Sequence, residues 1–186
     1  MTISRKSLLY ILLVALAAAA ILLAMDRPLI CTCGTIKLWV SSAASPETSQ
    51  MLADWYSPSH ILHGFLFYAA LWLVARRWSV ERRFLVALSL ETLWEVLENS
   101  PVIIDRYRAA TVAVGYTGDS VLNSLSDIAM MAFGFFLARR LPLRVALVLI
   151  GLLELIPLLV IRDNLTLNVW MLVHPSDAIR AWQAGA

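Results

Sequence analysis

The chain has 186 residues, 60% of them hydrophobic and 15% charged, and its mean hydropathy is +0.75. That is too apolar for a soluble domain of this size, which excludes an ordinary water-soluble enzyme. The formal net charge of +2 gives no ground for a nucleic-acid partner, because the basic residues are concentrated beside apolar spans.

Five stretches are long enough to cross a bilayer, which takes about 17–25 residues. They lie near 7–25, 58–75, 84–104, 121–138 and 143–161. The third reaches that length only by continuing from Glu98 through Pro101-Val-Ile-Ile104. The first follows Arg5-Lys6 and ends in small residues, as a signal peptide does, but its apolar run exceeds the usual 7–15 residues, which favours a retained anchor. Between the first and second spans lie Cys31-Thr-Cys33-Gly34. A bridge across one intervening residue is a strained geometry, so structural or intermolecular thiols, or a soft-metal pair, are the readings for these two. Ser57 before Pro58 is a suitable start for the second helix.

Arg5, Lys6, Arg76, Arg77, Arg82, Arg83, Arg139, Arg140 and Arg144 fall on one side of the spans, against the single acid Glu81. The positive-inside rule makes that side cytoplasmic, with the N-terminus in and the C-terminus out. The expected fold is all-α: a polytopic membrane helical bundle of about five transmembrane helices, forming one integral domain over residues 1–186. Residues 162–186 form an outer-face tail, in which Ile179 and Trp182 share one side of a short capped helix.

Most acids and histidines fall in or near the outer half of these spans. Glu91, Glu95 and Glu98 step by four and three, so they form one stripe on the third span. Asn123 and Asp127 make the same step on the fourth, with Asp119 a turn above, and His60 and His63 share a face of the second. Ionisable groups inside a bilayer cost about 2.5–3.5 kcal/mol each on insertion scales, so such a set reads as a functional site facing a common interior. Plainer readings stand beside this one. Asn123, with Ser120 and Ser124, suits interhelical hydrogen bonding; Glu98-Asn99 and Asp119 suit helix ends; Glu154 suits packing; Arg162-Asp163 suits an outer salt bridge.

Imidazoles beside a glutamate ladder are the donor set of a divalent metal in a helical bundle, with Zn, Fe or Mn as the suitable ions. His60, His63, Glu95 and Glu98 are the candidate ligands. Without a metal, crowded carboxylates cannot all ionise, and His60, His63, Glu95, Glu98, Asp119 and Asp127 become candidate general acids and bases. Arg106, Arg108, Asn123 and Arg162 are the candidates for holding an anionic or polar part of a substrate.

The strings Asp54-Trp55-Tyr56-Ser57-x-Ser59-His60-Ile61-x-His63-Gly64-Phe65, Trp94-Glu95-x-x-Glu98-Asn99-Ser100, Gly118-Asp119-Ser120-x-x-Asn123-Ser124-x-x-Asp127 and Ile161-Arg162-Asp163-Asn164-Leu165-Thr166-Leu167-Asn168 are distinctive. Together they resemble an uncharacterised family of bacterial multi-pass inner-membrane proteins, a domain of unknown function, over almost the whole chain. The resemblance implies an inner-membrane location and no assigned activity. This chain departs from that family at Val40 and Met51, where the resemblance implies histidines. A looser likeness is to VanZ-like proteins, on His60/His63, Glu95/Glu98 and Asp119/Asn123 alone.

The leading expectation is a membrane-embedded hydrolase or transferase acting at the outer face on a lipid or lipid-linked substrate. The alternatives are a non-enzymatic metal-, ion- or solute-binding membrane protein, or an assembly factor. The expected partners are the bilayer and that substrate, with no nucleic acid; the oligomeric state is open.

Overall fold

The computed structural model describes residues 3–113 and 115–185. Among them are eight α-helices and no strand: α1 (Arg5–Ala24), α2 (Ser57–Val74), α3 (Val80–Glu98), α4 (Pro101–Ala110), α5 (Val121–Arg140), α6 (Leu143–Ile161), α7 (Leu165–Val173) and α8 (Asp177–Ala184). Three of them, α1, α5 and α6, are long and apolar enough to cross a membrane. α1 and α6 leave large apolar side chains such as Leu8, Leu12, Leu16, Leu147, Val148 and Leu159 exposed. Faces of that kind suit lipid rather than water.

α2 and α5 are the most closely packed pair, and two glycines explain why. A Cβ on Gly64 would stand 2.2 Å from the Met131 carbonyl oxygen, and one on Gly134 would stand 2.1 Å from that of Ile61. Each helix therefore presses its backbone into the gap left by the other's missing side chain. Around this crossing Phe84, Ala87, Met131 and Phe135 form the apolar core, and Ala18 of α1 joins it. α1 packs on α3 and α5. Ser4 caps it, and the Ser4 N–H also donates to Glu81 Oε1 at 2.7 Å.

The third helix stops earlier than its sequence suggests. α3 ends at Glu98 and does not run on to Ile104. Pro101 disfavours helical geometry at the residue before it, and Ser100 is accordingly extended, with φ −75° and ψ 151°, and caps the separate helix α4. Ser57 starts α2 as expected, as its first helical residue; its hydroxyl accepts from the Asp54 N–H at 3.1 Å and reaches Asp127 Oδ1 at 3.5 Å. Cys31 and Cys33 are joined as a disulfide, contrary to the free-thiol and metal-pair readings; Cys31 packs with Val40 and Met51.

The segment between α1 and α2 has no regular structure, yet it is well anchored. Its carbonyls at Gln50, Met51 and Leu52 accept from Ser120 Oγ, Asn123 Nδ2 and Ser126 Oγ at 3.0, 2.9 and 2.6 Å. Those three donors recur every three residues along one face of α5. Buried carbonyls are thereby satisfied in a segment that lacks its own hydrogen-bond ladder. The Gln50 amide in turn donates to the Gly118 carbonyl at 2.8 Å. The segment closes over the polar ends of α2, α3 and α5.

Candidate functional site

The polar stripes of α2, α3 and α5 converge as their spacing implies. Glu91 is fully buried, and its Oε1 lies 2.8 Å from His60 Nδ1. His63 Nδ1 lies 3.0 Å from its Oε2 and 3.1 Å from its Oε1. One carboxylate thus accepts from two imidazoles when each carries its proton on Nδ1. On the opposite edge of the His60 ring, Nε2 stands 3.8 Å from Asp127 Oδ2. Glu95 Oε1 is 3.3 Å from His60 Nδ1, but the ring N–H points to Glu91, and neither Glu95 oxygen has a hydrogen-bond partner.

A second group surrounds Asn99, the residue at which α3 ends. Its amide donates to Asp119 Oδ2 at 2.8 Å, and its Oδ1 accepts from the Asp119 N–H at 2.6 Å. Tyr116 donates to the other Asp119 oxygen at 2.9 Å, and Tyr107 donates to Glu98 Oε1 at 3.0 Å. A third carboxylate, Asp163, follows the end of α6; it accepts from the Asn164 N–H at 2.9 Å and from the Tyr56 hydroxyl at 3.5 Å. Burial raises the pKa of Asp119, against the opposing effect of its bonds to Asn99 and Tyr116. Burial likewise pushes Asp163 up to about 6, against the Asn164 bond.

These groups border one cavity of about 660 Å³, within the usual size range of a small-molecule site. His60, His63, Glu98, Asp119, Asn123 and Asp127 all line it. So do apolar side chains, including Phe67, Trp94, Val112, Leu165 and Val169. Glu91 and Glu95 lie behind that wall, each with 0% exposure.

Three of the four residues expected to hold a substrate do not line this cavity, and each finds a backbone carbonyl instead. Arg106 Nε donates to the Leu172 carbonyl at 2.7 Å, tying α4 to α7. Arg108 donates to the Tyr116 carbonyl and faces Asp105 at 3.6 Å in an exposed pair. Arg162 donates to the Trp182 carbonyl at 2.7 Å, holding α8, and makes no salt bridge with Asp163. Asn123 does line the cavity, but its amide nitrogen is occupied by the Met51 carbonyl. Glu154 serves packing: its Oε2 accepts from the Thr166 N–H at 3.3 Å in the first turn of α7.

Sequence reasoning placed Glu91 on the stripe without a role, although it is the acid held by both histidines. Its step of four from Glu95 put it on the same face; only the depth of His60 and His63 on α2 selects it. Tyr56, Tyr107 and Tyr116 had no role in the site, and Asn99 was read only as a helix end, which it is. Their carboxylate partners Asp163, Glu98 and Asp119 lie 9 to 107 residues away or in irregular chain, where helical spacing carries no information.

His60, Glu95 and Glu98 form one group whose potential metal-ligand atoms lie within 4.8 Å of one another, and His60, His63 and Glu91 form another. The first contains the unpartnered Glu95; in the second both imidazoles already face Glu91 through Nδ1.

Comparison with known proteins returns relatives without an assigned activity. A UPF0314 protein of Paracoccus denitrificans is 52% identical, covering 92% of this chain and 89% of its own length. One from Novosphingobium aromaticivorans is also 52% identical, over 92% of this chain and 89% of its own length. One from Agrobacterium fabrum is 53% identical, over 88% and 82%. No solved structure matches. These comparisons carry the resemblance to an uncharacterised bacterial family and add nothing to the VanZ-like likeness. Residues 22–185 match the family model described as "Protein of unknown function (DUF2585)", and the chain belongs to that family.

Proposed function

We propose that this protein is a membrane-embedded hydrolase or transferase that acts on a lipid or lipid-linked substrate at the outer face of the bacterial inner membrane. The observation that carries the reading is a histidine set between carboxylates at the wall of a cavity of about 660 Å³ whose lining is part polar and part apolar. An amphipathic substrate needs both surfaces. Phe67, Trp94, Leu165 and Val169 suit its hydrocarbon part, and the His60–Asp127 edge suits a polar head. In this reading Asp127 transfers the proton, Glu91 orients both imidazoles, and Asp119 positions the head with Tyr116.

Five crossings, by α1, α2, α3, α5 and α6, accompany this proposal, with the cavity opening outward. The orientation is supported by nine basic residues against one acid at the opposite end. Reporter fusions at Trp78 and at Ala186 are expected to report opposite compartments; the same compartment for both contradicts the five-crossing topology. For the activity, the lipid extract of a deletion strain is compared with those of strains carrying wild type or His60→Ala. A lipid or lipid-linked species that accumulates without the protein, disappears with wild type and persists with His60→Ala supports the reading. Extracts that do not differ between deletion and wild type overturn it.

A further inference from the structure

We infer that His60, Glu95 and Glu98 form the seat of one divalent transition-metal ion, with Glu91 as the carboxylate that orients His60 rather than as a ligand. The inference stands apart from the choice of substrate, because it follows from how the acids in this cluster are partnered. Glu91 is saturated: both imidazoles face it, at 2.8 Å from His60 and 3.0 Å from His63. Glu95, one turn along α3, is equally buried, and neither of its oxygens meets a donor. A buried polar group without a partner is costly, and an ionised carboxylate far more so. A cation beside it removes that cost.

Three features identify the ion's class and ligands. One is distance: donors of His60, Glu95 and Glu98 lie within 4.8 Å of one another, while three donors on one ion at about 2.0–2.2 Å stand roughly 3.3–3.8 Å apart. Side-chain shifts of up to about 1 Å close the set. Another is the outer partner of the histidine. A metal-bound imidazole characteristically gives its other N–H to a carboxylate; His60 Nδ1 faces Glu91 and lies 3.3 Å from Glu95 Oε1, so an ion held through Nε2, on the Asp127 side of the ring, draws Glu95 toward that nitrogen. The third is donor chemistry: imidazole with carboxylates suits Zn, Mn or Fe over Ca or Mg. Glu98 lines the cavity, so such an ion has an open side toward a bound molecule. His63, a candidate ligand by sequence, shares Glu91 with His60 and falls in the other group of possible ligands.

The test is metal content and metal-dependent unfolding of the full chain purified in detergent. Each sample is stripped with chelator and dialysed against Zn²⁺, Mn²⁺ or Fe²⁺ in turn. Wild type is expected to retain one ion per chain from at least one of these and to unfold at higher temperature with it than without it. Glu95→Gln is expected to stay folded and to lose both the ion and the ion-dependent shift, since an amide ligates such ions poorly. Glu91→Gln is expected to bind about 10–100-fold more weakly yet fill at saturating ion, as loss of an orienting partner does. The surface variant Glu47→Gln is the control and keeps wild-type binding. Wild type that retains none of the three ions overturns the inference, and so does Glu95→Gln that binds as wild type does. If Glu95→Gln does not fold, Glu98→Gln serves in its place with the same two outcomes.

Discussion

Helices α2 and α5 meet twice, and the two meetings are opposite in kind. At Gly64 and Gly134 backbone touches backbone and the surroundings are Met131, Phe135 and Phe84. One turn along α2 and two along α5, at His60 and Asp127, the side chains stand 3.8 Å apart beside a cavity and two fully buried glutamates. The dry contact tolerates no added atom; the wet one has room to spare. A rigid crossing so close to a polar gap means that the gap is held by packing, not by its own hydrogen bonds, and can therefore keep a poorly partnered acid such as Glu95.

Disturbing the dry half should have the largest effect. Gly134→Ala puts a Cβ 2.1 Å from the Ile61 carbonyl oxygen. Backbone must move, and the expected loss is about 3 kcal/mol or more, at or above the upper end of ordinary overpacking. Gly151→Ala, in the lipid-facing α6 with nothing within 4 Å of the new atom, is the matched control. It should be neutral or gain up to about 1 kcal/mol from helix propensity. Unfolding of both in the same detergent makes the comparison; equal stability would mean that the glycines do not set the crossing.

A middle-sized effect is expected where the long segment between α1 and α2 is tied to α5. Asn123→Ala removes the donor to the buried Met51 carbonyl and should cost about 1–3 kcal/mol for the unsatisfied group. Proteolysis within 26–56 should accelerate while the helices stay protected. A wild-type cleavage rate would show that the segment is held by other contacts.

A smaller effect is a pH dependence at Asp163. Its pKa is raised to about 6 from an ordinary 3.8, chiefly by burial. Between those values the folded chain holds a proton that the unfolded chain has released, so stability falls as pH rises through this window. Asp163→Asn should flatten that part of the profile, measured as unfolding temperature between pH 4 and 7. An unchanged slope contradicts the assignment. Smallest of all should be Arg162→Ala. It loses an exposed bond to the Trp182 carbonyl, expected to matter by about 0.5 kcal/mol, with no effect on function. A loss of function there would return Arg162 to the substrate-binding role expected from sequence.

What was legible in the sequence follows the reach of each physical rule. Helical spacing reads faces, so Glu91, Glu95 and Glu98 were correctly grouped, as were Asn123 and Asp127. Hydropathy reads length, so α1, α5 and α6 stood out, while α3 was drawn too long because Pro101-Val-Ile-Ile104 is apolar even though the Ser100-Pro101 step begins a new helix. The contacts of the arginines were hidden for a different cause. Their long side chains cross from one element to another, and Arg106, Arg108 and Arg162 reach carbonyls of Leu172, Tyr116 and Trp182 that no local pattern announces. Nor does any pattern reveal that Glu91 takes both imidazoles while Glu95 takes none. That depends on the depth at which α2 crosses its neighbours, which Gly64 and Gly134 determine.

The central claim is that the polar half of the bundle works rather than merely packs, and Glu95→Gln tests it most directly. If the cluster is only interhelical adhesive, the amide keeps most hydrogen-bonding capacity, and membrane polar contacts average about 0.6 kcal/mol, so function should persist. If Glu95 acts as a carboxylate, the amide cannot replace it. The measurement pairs the unfolding temperature of the purified variant with its ability to restore the lipid profile of a deletion strain. The account predicts near-wild-type unfolding and no restoration. Full restoration, or unfolding at much lower temperature with function lost only in proportion to folded protein, would contradict it.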